Sequence, residues 1–446
     1  MPAIIDSLPP ELTDEILNLI STDMDALRSL ALTSRSFLSP CQSRIFSSAT
    51  VNTRCEHDRN TSQAQKLLAV LNGSPRDLAG YITHFTVQLD HSPLFSSDNG
   101  VPTERSKDGH DLIELLLLLS KLTRFSLKLR DQYSWCVQVL SSSVIEAIVA
   151  SLRLSSIVQV DFKNVPIGMI HACSPSVKHM ALWDPINVHW RPLRHEQTQM
   201  VHQQHTPPIY LNSLFLDSSS RAHYEVGETI KQILQSGLDL SQLRKLVLNV
   251  PYCRLEPREE TLQLLRACSA SLEDFSFCPA VESYADARTK PDNMNLGFLT
   301  SLRVLHLSVR AGFVPDRAEV VDPIVWITDL LDKIPQSNRI EWIIISSSYY
   351  VSPTVNGGGF FGIEFDSYVH LAGILTKGRF PHLRKVTFHT DTRCNDELTP
   401  KQLGWFVTWI ERCLKHKMVG PAKEFVFEFS SGLFFRNNLF PQIGSW

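Results

Sequence analysis

The chain has 446 residues, with 43 Lys and Arg against 46 Asp and Glu and a net charge of −3, so nothing draws it as a whole toward nucleic acid or an anionic membrane. At 43% hydrophobic and 20% charged residues it is too apolar to be disordered, and it is long enough for two to three domains or a small module followed by a repeat array. Its nine cysteines are odd in number, scattered and never spaced Cys-x-x-Cys, which fits reduced thiols better than a disulfide frame or a zinc knuckle. The N-terminus shows no basic segment followed by an apolar one, and the longest aliphatic run, residues 115–119, is far short of a membrane span. An intracellular location, cytoplasm or nucleus, is expected.

The first elements lie in residues 6–51. Leu12, Ile16 and Ile20, with Leu17 beside them, recur at the four-residue step of a helical stripe. Pro9 and Pro10 stand where a helix begins, and Glu11, Asp14 and Glu15 place negative charge at the positive end of its dipole. Leu27, Leu30 and Ala31 form a second stripe, and Phe37, Cys41 and Ile45 with Phe46 a third. Three short helices in about 45 residues leave much apolar surface uncovered, because so small a chain buries little of it on folding.

In order and spacing these residues resemble the F-box. They run Leu8-Pro9-x-Glu11-Leu12-x-x-x-Ile16-Leu17, then Leu27-x-x-Leu30-x-Leu32-x-x-Arg35-x-Phe37, then Phe46. Phe37 stands where Trp is commoner and Thr33 where Cys or Val is usual. The resemblance implies docking onto a Skp-family adaptor and, through it, a cullin. Leu8, Pro9, Leu12 and Ile16, with part of the Leu27-Leu30-Leu32 run, would form the contact. The bland alternative is a three-helix cap on a larger domain.

Beyond residue 80 an element of the form apolar-x-x-apolar-x-apolar returns. It starts at Ile82, Leu122, Ile157, Val177, Leu211, Leu243, Leu272, Leu302, Ile340, Leu383 and Ala422, in steps of 20 to 43 residues. The second and third apolar positions alternate as an inward-facing strand requires, and the first anchors the entering turn. Helix-like stretches lie between, at 111–121, 142–152, 225–234, 258–268, 325–334 and 400–414. Units too small to fold alone should stack.

Residues 80–430 thus resemble leucine-rich-repeat proteins, with Leu302-Arg-Val-Leu305-His-Leu307 the cleanest copy. The Asn or Cys usual after the third apolar position is irregular here, with Asn164, Asn249 and Cys278 near it. The implied fold class is α/β: a small N-terminal three-helix F-box followed by a right-handed leucine-rich-repeat-like solenoid with a curved parallel sheet. The expected domains are 1–51 for the F-box, 52–80 for a linker and first covering helix, and 81–446 for the solenoid. An α/β domain with similar parallel strands is the alternative. Arg244, Lys245, Arg303, Arg384 and Lys385 share two slots of their repeats and predict a basic stripe.

Several stretches invite a chemical reading. His189, His195, His202 and His205 crowd one segment, but no Cys, Asp or second spaced pair completes a ligand set, and Pro192, Pro207 and Pro208 mark a loop. Gly357-Gly358-Gly359 lacks the Gly-Lys-(Ser/Thr) of a phosphate cradle and reads as an insertion. Cys55-Glu-His57 has nothing to orient a base. Asp90, Asp161, Asp217 and Asp391 are expected at strand ends, where a solenoid carries a binding rim. Tyr349, Tyr350, Phe360, Phe361, Phe365, Trp183 and Trp190 serve equally as partner anchors or filling under insertions. Phe434, Phe435, Leu439 and Phe440 are expected to cap the last strand. No catalytic residue, metal or cofactor is predicted, and the target-binding residues are not legible. The expected role is substrate recognition in a Skp–cullin–F-box ubiquitin ligase; the alternatives are an F-box-bearing scaffold without ligase role and an α/β hydrolase or transferase.

Overall fold

The computed structural model of the chain describes residues 8–53, 63–74, 77–89, 105–129, 142–186, 207–218, 223–252, 259–281, 294–310, 323–351, 365–376, 378–394, 408, 412 and 424–431. The fold is α/β, dominated by a large parallel sheet. It divides into two compact units, Met1–Ala181 with Val188–Ile209, and Leu182–Asn187 with Tyr210–Trp446.

The first unit opens with three helices: α1 (Pro10–Leu19), α2 (Met24–Thr33) and α3 (Arg35–Ile45). Pro10 occupies the first turn of α1, where its missing N–H costs nothing, and Glu11 lies at the same end. The Asp23 carboxylate caps α2 by accepting from the Asp25 and Ala26 amides at 3.1 and 2.9 Å. Ser34 caps α3 by accepting from the Ser36 amide at 3.1 Å. The chain then runs through β1 (Ser48–Asn52), α4 (Gln63–Gly73), β2 (His84–Leu89), α5 (Arg105–Leu118), β3 (Arg124–Leu129), α6 (Ser142–Leu152), β4 (Gln159–Lys163) and β5 (His179–Trp183), a strand whose residues are shared by the two units. The strands follow chain order, and the ladders from β1 to β4 are parallel.

β1 was not expected. It leaves α3 and pairs with β2, so the boundary drawn at residue 51 falls inside a strand; the 52–80 segment, expected to be a linker and a first covering helix, holds α4 and a 3₁₀ turn at Ala79–Tyr81. Its period-two signal is weak because Ser48, Thr50 and Asn52 alternate with only Ala49 and Val51.

The second unit contains two short strands, β6 (Ile209–Tyr210, shared at its first residue) and β8 (Leu238–Asp239), and the sheet strands β7 (Ser213–Asp217), β9 (Lys245–Tyr252), β10 (Asp274–Val281), β11 (Val304–Arg310), β12 (Trp342–Val351), β13 (Lys385–Cys394) and β14 (Glu424–Ser431). These sheet strands again pair in chain order and in parallel. Helices α7 (His223–Gln235), α8 (Glu259–Ala267), α9 (Pro323–Asp332) and α10 (Phe365–Thr376) separate them. Of the helix expected over 400–414 only Thr408 and Arg412 are described, and both are helical.

All eleven repeated elements are strands, each beginning two residues after its first apolar residue. That residue is buried in every described copy, from Ile82 to Leu383. The chain enters β2 to β5 and β9 to β13 by one device: the two N–H groups after the anchor donate to a single carbonyl of the preceding repeat. Thr83 and His84 donate to Ser47, Thr123 and Arg124 to Thr83, Glu273 and Asp274 to Arg244, and Arg384 and Lys385 to Glu341. Parallel register then stacks like positions, Phe85 on Phe125 in the first unit and Leu246, Phe275, Leu305, Ile343 and Val386 in the second. Burying each such side chain contributes about 1.5–3 kcal/mol.

The expected basic stripe is corrected by this register. The residues before β9 to β13 are Arg244, Glu273, Arg303, Glu341 and Arg384, so charge alternates from strand to strand. Glu341 lies 3.7 Å from Arg303 and 3.9 Å from Arg384, and Lys245 lies 3.5 Å from Asp274. Such solvent-accessible pairs each contribute little to stability.

Candidate functional site

The N-terminal helices share a small core. Leu17, Leu27, Phe37 and Cys41 are buried, and Leu8, Ile20, Leu30, Ala31 and Ile45 pack against them. The module is tied to the rest of its unit by Ser39 Oγ at 3.1 Å from the Tyr81 hydroxyl, and by the Ser47 carbonyl accepting from Thr83 and His84. Arg44 braces α1 from α3, donating to Asn18 Oδ1 at 2.9 Å with Asp14 3.8 Å away.

A second apolar stripe of α1 has no cover among the described residues. Leu12, Ile16 and Leu19, at positions i, i+4 and i+7, are 46%, 36% and 81% exposed. On α2, Met24 and Leu32 are also exposed, Leu32 by 87%. Apolar side chains left exposed along helical stripes are not core, and they make this face a candidate interaction surface.

The seven residues expected to form this surface divide. Leu12, Ile16 and Leu32 are exposed, and Pro9 is exposed at the N-cap of α1. Leu8 and Leu30 are half-buried against the core, and Leu27 is wholly buried in it, so Leu27 supports the helices and is not surface. Leu19 and Met24 were missed, although the i+7 step from Leu12 to Leu19 was there to be read.

The sheet carries two polar clusters. In the first unit Asp161, expected at a strand end, lies in the middle of β4 with its side chain 4% exposed. Its Oδ2 accepts from Arg124 Nε at 2.8 Å and Ser126 Oγ at 2.9 Å, with Arg124 Nη2 at 2.7 Å. Gln159 Nε2 donates to its Oδ1 at 3.3 Å. The group is neutralised and saturated, with no open position for a reacting atom. In the second unit His306 sits between two serines, Nδ1 3.3 Å from Ser276 Oγ and Nε2 2.8 Å from Ser346 Oγ. Ser346 is wholly buried, so it is not presented to a substrate as a nucleophile must be.

Burial first, then His389 and Lys245, push the His306 pKa down to about 3. The folded imidazole therefore stays neutral while the unfolded one protonates near its ordinary 6.5. Between those values the unfolded chain binds more protons, so this contribution is present above about pH 6.5 and is lost as the pH falls toward 3. We expect the unit to lose roughly 1–2 kcal/mol between pH 7 and pH 5 from this group, and His306→Gln to flatten that slope. Urea titrations at the two pH values check it.

The remaining candidates are structural or lie elsewhere. Asp217 ends β7, buried, its carbonyl accepting from the Asp184 amide at 2.6 Å. Trp183 lies on Phe215 with ring centroids 4.2 Å apart. Asn164, just after β4 with φ of 54°, donates through Nδ2 to the Leu129 carbonyl at 2.8 Å, tying its turn to the neighbouring strand's end. Asn249 and Cys278 instead lie within β9 and β10, in register. Tyr349, Tyr350 and Asp391 are strand residues of β12 and β13, and Phe365 opens α10. Cys55, His57, Asp90, His189, Trp190, His195, His202, His205, the 357–359 glycines, Phe360, Phe361 and the cap at Phe434, Phe435, Leu439 and Phe440 lie outside the described residues.

Burial pushes the thiols of Cys173 and Cys268 up to about 12, which makes them unreactive core side chains. Among the described residues no three His, Cys, Asp or Glu side chains are grouped to hold a metal, and no helix is long and apolar enough to cross a membrane. No family model matches the chain, and no curated protein is detectably similar to it.

Proposed function

We propose that this chain is the recognition subunit of a Skp–cullin–F-box ubiquitin ligase. Helices α1–α3 act as the F-box and dock a Skp-family adaptor, and the sheet-bearing remainder, a right-handed leucine-rich-repeat-like solenoid with a curved parallel sheet, presents a target protein. Catalysis belongs to the other subunits. The observation that carries this reading is the uncovered stripe Leu12, Ile16 and Leu19 on a helix with the F-box residue order. An apolar helical stripe of that kind is covered by a partner's groove. Strands paired in chain order, and one entering turn repeated from repeat to repeat, support the solenoid.

Affinity purification of the intact chain with mass spectrometry tests the function. Adaptor and cullin peptides together are the expected result. Adaptor without cullin would favour a scaffold with no ligase role, and recovery of neither would overturn the proposal. Deleting residues 1–50 is a poor control because the cut removes part of β1.

A further inference from the structure

The outward rows of β1 to β4 are polar throughout. In register they read Ser48, His84, Arg124 and Gln159; then Thr50, Thr86, Ser126 and Asp161; then Asn52, Gln88, Lys128 and Lys163. The alternate positions on these strands, such as Phe85, Phe125, Val160 and Phe162, are buried and hold the core on the opposite face. This face carries no apolar side chain to bury, so it is either hydrated or bound by something polar.

Its charge is unbalanced in one place. The only carboxylate of the twelve residues, Asp161, is spent on Arg124, with Ser126 and Gln159 completing its shell. Lys128 and Lys163 are then left facing each other. They are register partners on adjacent strands, about 4.8 Å apart in the backbone, and both are exposed. Neither has an ion-pair partner among the described residues. Like charges directly opposite one another destabilise a sheet, whereas the residues entering β9 to β13 alternate in sign. The same chain avoids like-charge neighbours in one place and keeps a pair in another. A bound anion offsets that repulsion.

We propose that this face binds an acidic segment of a protein partner, with Lys128 and Lys163 taking its carboxylates and Gln88 and Asn52 alongside as hydrogen-bond donors. The Arg124–Asp161 pair, its carboxylate buried, holds the two strands in the register that sets the lysines together. An acidic protein segment is favoured over nucleic acid because the two lysines stand side by side as a short cationic pair, which matches neighbouring carboxylates and is too few charges to neutralise a phosphate backbone. The proposal does not depend on what α1–α3 dock.

The test uses the full chain and a fluorescein-labelled decaglutamate peptide, read by fluorescence anisotropy at low and physiological salt. Saturable binding that weakens with salt is expected, reduced at least tenfold by Lys128→Glu combined with Lys163→Glu. The single Lys128→Glu makes a cross-strand pair with Lys163, so its Tm should be equal to or above that of the unmodified chain while peptide affinity falls. A residue kept for function at a cost in stability behaves this way; one kept for folding does not. Failure of the peptide to bind, affinity unchanged in the double variant, a lowered Tm in the single one, or tighter binding of a decathymidine oligonucleotide would each overturn the proposal.

Discussion

Leu12→Asp combined with Ile16→Asp should abolish co-purification of a Skp-family adaptor while leaving the parallel sheet folded. Both side chains are exposed on α1 and contribute little to the Leu17–Leu27–Phe37–Cys41 core. Truncating one central anchor of an interface costs about 2 kcal/mol or more, roughly thirtyfold in affinity, and placing a carboxylate in an apolar groove costs more. Leu8→Ala with Pro9→Ala, the substitution suggested by the motif alone, is a less clean test because Leu8 packs against the core and Pro9 caps α1. The measurement is a pull-down beside a thermal melt. An unchanged melt with lost adaptor is the expected outcome. Retained adaptor at unchanged affinity would make the helices a structural cap.

The second large effect lies in the sheet. Asp161→Ala should destabilise the first unit by about 3 kcal/mol, because it leaves the Arg124 guanidinium, itself largely shielded from water, with no counter-charge and strands Ser126 Oγ. For a unit of this size that is roughly 6–12 °C in its transition. Adding Arg124→Leu should recover part of the loss, since the unpaired charge is gone and the leucine covers the same strand. A loss under about 1 kcal/mol would mean that the pair is solvated and worth no more than a surface ion pair. The measurement is urea denaturation of the single and double variants.

Repeats and helices were legible for a local reason. Burial on one face of a strand writes a period of two into the residues themselves, so Ile82 to Val87 and Leu302 to Leu307 announce their strands without reference to any neighbour. Five of the expected helices likewise overlap α5 to α9, the 142–152 helix without error, whereas α10 at Phe365–Thr376 was not among them. β1 was hidden because it has only Ala49 and Val51 to show, and its partner β2 lies more than thirty residues on.

What the residues determined alone, then, was the type and order of most strands and helices and the apolar stripes of the N-terminal helices, all of which follow from spacing within one element. Register across elements was settled only by the tertiary structure. It made Leu27 core and left Leu12 outside, turned the supposed basic stripe into alternating charge, and moved Asp161 from a rim to a buried partner of Arg124. It also set Lys128 against Lys163. The connections between repeats vary in length, so sequence distance says nothing of which outward residues become neighbours; only the backbone ladder, one residue in step per bond, decides that.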